Sequence, residues 1–169
     1  MEPDTIVRNK PSAKSSARKK NVAKSAELAV KRILVPIDFS ETSLHALRYA
    51  LTFARELEAS VHLLHVYEPP TFMAGYPTLP IVVPDGQVVQ KARMQLDRVA
   101  REATDRDVPV ECFVRKGKPH QEIVDLAKEQ RIDLIVISTH GYTGLKHTLL
   151  GSTAERVVRH AGCPVLVVR

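Results

Sequence analysis

Asp133-Leu134-Ile135-Val136-Ile137-Ser138-Thr139-His140-Gly141 is the stretch on which the fold of this 169-residue chain turns. Leu134 to Ile137 is apolar without alternation, which fits a strand covered on both faces. Working outward, Arg32-Ile33-Leu34-Val35-Pro36-Ile37 is a similar short run, ended by Asp38. Val61 to Val66, Val108 to Val114 (with Cys112 inside it) and Val165 to Val168 complete a set of five candidate strands.

Helical periodicity fills the gaps. After Asp38, the residues Leu44, Leu47, Leu51, Ala54 and Leu57 fall at spacings of three and four. Ser40 is the predicted N-cap, and Glu41 sits at the positive end. Residues 85–104 carry Val88, Ala92, Leu96, Val99 and Ala103 on one face. Pro119 suits a first helical turn, with Ile123, Leu126 and Ala127 as its apolar face. Ser152 to Ala161 reads as a short last helix, with Gly162 as its stop and Pro164 beyond. Residues 68–84 carry Pro69, Pro70, Pro77, Pro80 and Pro84, a density that predicts a long loop. The alternation of strand and helix predicts an α/β fold: a parallel sheet with right-handed crossovers and helices on both faces. In such open sheets ligands sit outside the carboxyl ends of the strands. Here that means Asp38 and the residues from Ser138 onward.

Composition narrows the function. No apolar run approaches a membrane span of ~18 residues. MEPDTIVRNK has no apolar core, so no secretory signal is expected, and the default expectation is a cytoplasmic protein. Cys112 and Cys163 are too few for a disulfide framework or a cysteine-rich zinc site. The net charge of +6 is uneven. Residues 1–26 hold seven basic and two acidic side chains, whereas residues 27–169 hold 18 and 17. We therefore expect a disordered basic tail, 1–26, and a nearly neutral folded domain, 27–169. The tail carries no interleaved aromatics, so nucleic-acid binding through it is not favoured.

The stretch after the fourth strand holds the chemistry. Ser138-Thr139-His140-Gly141-Tyr142-Thr143-Gly144 leads, through Leu150, into Gly151-Ser152-Thr153. Glycines let backbone approach a ligand, successive N–H groups form an anion nest, and the following helix N-terminus adds positive potential. That combination suits a phosphate chain. A structural alternative stands beside it: Ser152 and Glu155 match the S-x-x-E capping box. Neither a Walker loop nor G-x-G-x-x-G occurs. The seven histidines show no metal-ligand spacing: His62 and His65, three apart on a strand, point to opposite faces. No nucleophile–base–orienter set is readable, so a dedicated catalyst is not indicated.

Val35-Pro36-Ile37-Asp38-Phe39-Ser40, Leu63-Leu64-His65-Val66, Ser138-Thr139-His140-Gly141, Gly151-Ser152 and Cys163-Pro164-Val165-Leu166-Val167-Val168, in this order, resemble the universal stress protein family over about residues 30–169. The resemblance implies a Rossmann-like, adenine nucleotide alpha hydrolase-like domain. Its five-stranded parallel sheet would have the order 3-2-1-4-5, often dimeric through the last strand. It implies binding of ATP or ADP, compatible with slow ATP hydrolysis, with any Mg²⁺ or Mn²⁺ carried by the phosphates, and a role in stress regulation through a protein partner that the sequence does not name. Carried over by position, Pro36, Ile37 and Asp38 would face the adenosine, and Val66 would pack on adenine. Ile137 and Ser138 would line the nucleotide. Gly141, Gly151, Ser152 and Thr153 would hold phosphates, with His140 beside them. The family's G-x-x-G-(nine residues)-G-[ST] pattern is met at Gly141 and Gly151-Ser152, but Ser138 replaces its first glycine. That departure supports a second reading, a nucleotide-independent interaction protein acting through its dimer surface, loop 68–84 and basic tail.

Overall fold

The computed structural model describes residues 29–68, 85–103, 107–139 and 150–169. The expected tail 1–26, the proline-rich part of loop 68–84, and His140 and Gly141 lie outside the described residues. The elements are β1 (Arg32–Pro36), α1 (Glu41–Leu57), β2 (Ser60–Tyr67), α2 (Asp85–Ala103), β3 (Val110–Lys116), α3 (Pro119–Glu129), β4 (Leu134–Ser138), α4 (Ser152–His160) and β5 (Val165–Val168). All strand pairs are parallel, and the sheet order is β3-β2-β1-β4-β5. The expected fold class and strand order are those observed.

Two apolar cores follow from the period-two geometry of the strands. On one face Ile33, Val35, Ile37, Val61 and Leu63 pack under α1 and α2 through Ala46, Leu47, Ala50 and Leu96. On the other, Leu34, Leu64, Ile135 and Ile137 meet Ile123, Leu126, Ala154 and Val157 of α3 and α4. The strands therefore read as continuous apolar runs because both faces are dry.

The structure corrects several local expectations. The buried stripe of α1 is Ser43, Ala46, Leu47, Ala50, Leu51 and Ala54. Leu44 is only half-buried and Leu57 is exposed. The small residues at 46, 50 and 54 let the helix lie close on the sheet; of the predicted face Leu47, Leu51 and Ala54 are buried, and Leu44 and Leu57 are left at the margin and the end of the stripe. Gly162 is not the stop of α4. The helix ends at Ala161 in extended backbone (φ −63°, ψ 139°), and Gly162 does not take the left-handed conformation. The third strand starts at Val110, two residues later than predicted.

A carboxylate pins the centre of the sheet. Asp133 Oδ2 accepts the backbone N–H groups of Lys31 and Arg32 at 3.0 and 2.9 Å. The Asp133 N–H in turn donates to the Arg32 carbonyl at 2.9 Å. The adjoining starts of β1 and β4 are thereby locked in register, Ile33 beside Leu134 and Leu34 beside Ile135.

His62 is the buried polar residue of β2. Its ring stacks on Phe113 with centroids 5.6 Å apart, and Nδ1 has no partner. Desolvation pushes its pKa below 6.5, Arg32 adds to that, and Glu111 opposes it. The folded state thus binds this proton less well than the unfolded chain. The contribution to stability is whole above pH 6.5 and is lost as pH falls through the folded value. We expect the urea midpoint to drop between about pH 7.5 and about pH 5.5, and His62→Leu to reduce that drop. An equal drop in the variant would show that other groups set the acid sensitivity.

Candidate functional site

The cleft starts where two strands part company. Beyond Leu34, β1 continues its hydrogen bonding with β2, up to the Ile37 N–H donating to the Leu64 carbonyl at 2.8 Å. Beyond Ile135, β4 pairs with β5, up to the Thr139 N–H donating to the Val168 carbonyl at 2.9 Å. Between the diverging ends lies a cleft of about 270 Å³. That volume is near the lower end of small-molecule sites, about 300–1,000 Å³.

Nine of the predicted site residues come together here. Pro36, Ile37 and Asp38 form one lip, and Ile137 and Ser138 the other. Val66 lies on the floor beside them, and Gly151, Ser152 and Thr153 close the end. His140 and Gly141 lie outside the described residues. Sequence reasoning did not single out Ser43, Thr139, Pro119 and Ile123, which also line the cleft. Thr139 and Pro119 follow directly from strand ends, so the rule of carboxyl-end sites could have found them. Ser43 had no signal beyond its place three residues after a cap.

The first lip is held by a chain of local contacts. His65 Nδ1 donates to the Ile37 carbonyl at 2.8 Å, and the ring lies 4.6 Å from that of Phe39. Phe39 is left-handed, with φ 65°. This turn brings Asp38 Oδ1 to the Ser40 N–H (3.0 Å) and hydroxyl (2.5 Å). The Ser40 hydroxyl, its proton given to Asp38, accepts the Ser43 N–H at 3.2 Å and so caps α1. The N-cap prediction for Ser40 holds, and the same hydroxyl orients Asp38.

The far end is built differently. The N-cap of α4 is Gly151, with no side-chain hydrogen bond, and Ser152 is already the first helical residue. The expected Ser152–Glu155 capping box is therefore not formed. Glu155 instead accepts from Arg159 at 2.7 Å. Gly151 is anchored by its N–H on the Thr139 carbonyl at 2.6 Å. The first N–H groups of the helix, from Ser152 on, have no acceptor within it and open on the cleft. α3 also begins at the cleft, through Pro119, and its N-cap Lys118 makes no side-chain cap either.

The electrostatics are polarised. Asp38 is the only titratable side chain lining the cleft among the described residues. At the other end stands the uncapped N-terminus of α4, worth about half a positive charge; α3 adds less, since Pro119 has no N–H and the Gln121 and Glu122 N–H groups donate to the Lys118 carbonyl. Between them the walls are apolar: Ile37, Leu64, Val66, Ile123 and Ile137. Such a site suits a ligand with a hydroxylated part at Asp38, a flat apolar body and an anionic tail at α4. Divalent cations have little protein to hold them there. No group of three His, Cys, Asp or Glu side chains among the described residues fits a metal. Both cysteines lie off this site, and burial pushes their thiols up, Cys112 to about 11.

Comparisons with known proteins agree with this geometry. The chain belongs to the universal stress protein family, whose family model matches residues 29–169. It is 35% identical to universal stress protein MJ0531 of Methanocaldococcus jannaschii over 150 residues, 88% of each chain. It is 32% identical to universal stress protein YxiE of Bacillus subtilis, covering 82% of this chain and 98% of that one. Among solved structures, that of MJ0577 superposes with a TM-score of 0.68 at 30% identity, over 83% of this chain and 96% of the other. A universal stress protein in complex with cAMP superposes with a TM-score of 0.62 at 25% identity, over 83% and 98%.

The two serines at the cleft should separate in a stability test. Ser40→Ala is expected to cost about 1 kcal/mol, within the ~0.5–2 kcal/mol of a lost N-cap. Ser152→Ala, which removes no cap, should stay within about 0.5 kcal/mol of wild type. Urea unfolding of both variants measures this. Equal losses would restore the capping box that the structure lacks.

Proposed function

We propose that this universal stress protein domain binds an adenine nucleotide, ATP or ADP, in the cleft between the end of β1 and the start of α4, and that occupancy serves a regulatory role in stress response. The observation that carries the reading is the polarised cleft. A single carboxylate, Asp38, faces the uncapped N-terminus of α4 across apolar walls. Asp38 would accept hydrogen bonds from ribose or base, and Val66 would pack on the adenine. Ile137 and Ser138 would line the middle, and Gly151, Ser152 and Thr153 would hold phosphate oxygens through N–H and hydroxyl groups. His140 and Gly141 complete the proposed set from the sequence alone. Mg²⁺ or Mn²⁺ would ride on the phosphates and water, the manner usual for a cation that dehydrates reluctantly. A solved relative at 25% identity in complex with cAMP supports an adenine ligand class.

The reading extends to assembly. β5 lies at one edge of the sheet and consists of Val165-Leu166-Val167-Val168. An apolar edge of that kind needs cover, and pairing with a second copy provides it. Light scattering at micromolar concentration should show a mass about twice that of the 18.8 kDa chain, and a monomer would contradict the pairing.

For the nucleotide, the purified protein is denatured and its supernatant resolved by ion exchange. The emptied protein is then titrated with ATP and Mg²⁺ by calorimetry. We expect adenine nucleotide near one per chain, or binding restored on titration. Asp38→Ala should weaken that binding about tenfold or more. Neither bound nucleotide nor heat of binding would defeat the reading. It would move the function to the second reading, an interaction surface independent of nucleotide, which Ser138 in place of the family's glycine favours.

A further inference from the structure

α3 and α4 both reach the cleft, through Pro119 and through Ser152 and Thr153. On α4, Thr153, Arg156 and His160 fall at i, i+3 and i+7, so they share one flank, and Thr153 lines the cleft. On α3, Pro119 lines the same cleft, and Lys118 and His120 lie on either side of it in sequence. The two helices pack against each other. Four basic side chains thus lie beside the cleft on these two helices, close enough that Arg156, His160 and Lys118 all act on His120.

Glu68 is the one carboxylate among the described residues that acts on His120, and the acids of α3 and α4 nearest in sequence are paired with other cations. Glu155 is paired with Arg159. Glu122 and Glu129 are paired with Arg115. Among the described residues, no carboxylate forms an ion pair with Lys118 or Arg156. Gly117 brings Lys118 to this place. Its φ is +154°, and a Cβ there would collide with the Glu122 carboxylate. His160 Nδ1 lies 2.7 Å from the Arg156 carbonyl and must donate to it, which turns Nε2 away from the helix backbone.

We infer that the seam of Lys118, His120, Arg156 and His160 is a second phosphate subsite, which makes the cleft select nucleotides carrying a chain of two or more phosphates over nucleoside monophosphates. The inference rests on the nucleotide reading above and adds to it the ligand's length. The first phosphate is held by neutral groups, N–H and hydroxyl, at α4. Any further phosphate meets full positive charge. Charge-assisted contacts are roughly twice as strong as neutral ones, so discrimination grows with each added phosphate.

The environment of His120 fits this role. Partial desolvation first, then Arg156, His160 and Lys118, hold its imidazole below the ordinary value of 6.5, and Glu68 at the end of β2 opposes them. An arriving phosphate reverses that balance and favours the imidazolium. Binding of the longer nucleotides then takes up a proton, and their affinity rises as pH falls from about 7.5 to about 6.

The test is calorimetric titration of the full chain with AMP, ADP and ATP, each with Mg²⁺. Wild type should bind ATP and ADP at least tenfold more tightly than AMP. Arg156→Ala should lower ATP affinity about tenfold and leave AMP unchanged, with Arg156→Lys recovering part of the loss. Arg159→Ala, at a residue paired with Glu155, should change neither. Nucleotide phosphates titrate near pH 6 themselves, so the pH effect is read as the difference between wild type and His120→Gln. That difference should vanish when the ligand is AMP. Equal binding of AMP and ATP, or equal loss of both in Arg156→Ala, overturns the seam while the nucleotide reading stands. Absence of binding by all three overturns both.

Discussion

The cleft depends on the parting of β1 and β4. They are neighbours at their amino ends, where the Asp133 carboxylate holds two N–H groups of the incoming chain. Past Leu34 and Ile135 their hydrogen bonding turns outward, to β2 and to β5. The reason is topological. The chain leaves β1 towards one face through α1 and leaves β4 towards the other through α4, and among the described residues no connection fills the gap between their ends. Pinning one end of the pair and freeing the other turns a sheet into a site. The polar groups of the lips stay satisfied by outward pairing, Ile37 with Leu64 and Thr139 with Val168, so the cleft can open without orphaned backbone.

Most of the fold was legible because the strands are buried on both faces. Unbroken apolar runs at Leu134–Ile137 and Arg32–Ile37 allow little else between helical periods. The site was legible where it lies on strand ends and helix starts, since those positions follow from topology. Three kinds of detail were not legible. The exact buried sector of α1 depends on how closely Ala46, Ala50 and Ala54 let the helix approach, which is a packing quantity. The capping of α4 depends on where the chain leaves Thr139, and a bond from Gly151 to that carbonyl shifts Ser152 into the helix. The clamp by Asp133 joins residues about a hundred positions apart, and no local pattern announces it.

The two edges of the sheet are treated unequally. β3 carries Glu111, Arg115 and Lys116, and Arg93 of α2 donates to the Cys112 carbonyl at 2.5 Å, which blocks one of its edge acceptors. Charges along an edge and a covered carbonyl are means of preventing strand addition. β5 has neither, only valines and a leucine. It also pairs with β4 up to the residue that enters the cleft, Ser138 beside Val168. A partner strand on β5 would therefore lie one strand away from the lip of the site, which is a short physical path between occupancy and assembly.

Ser138 is the position where this chain departs from the family's glycine pattern, and the structure separates the two reasons a glycine could stand there. One is conformational: glycine is needed where φ is positive. Ser138 ends β4 in regular pairing with Val168 and is not among the residues of positive φ. The backbone here is one that any residue adopts, so serine costs the fold nothing. The other reason is room for the ligand. A Cβ and hydroxyl on the cleft lip narrow the approach of whatever lies along it, and they also offer a hydrogen-bonding group. The substitution therefore bears on the cleft rather than on the backbone. It narrows the lip of the cleft formed by β4, and the far end at Gly151 to Thr153 lies on a different element, α4 and its N-cap.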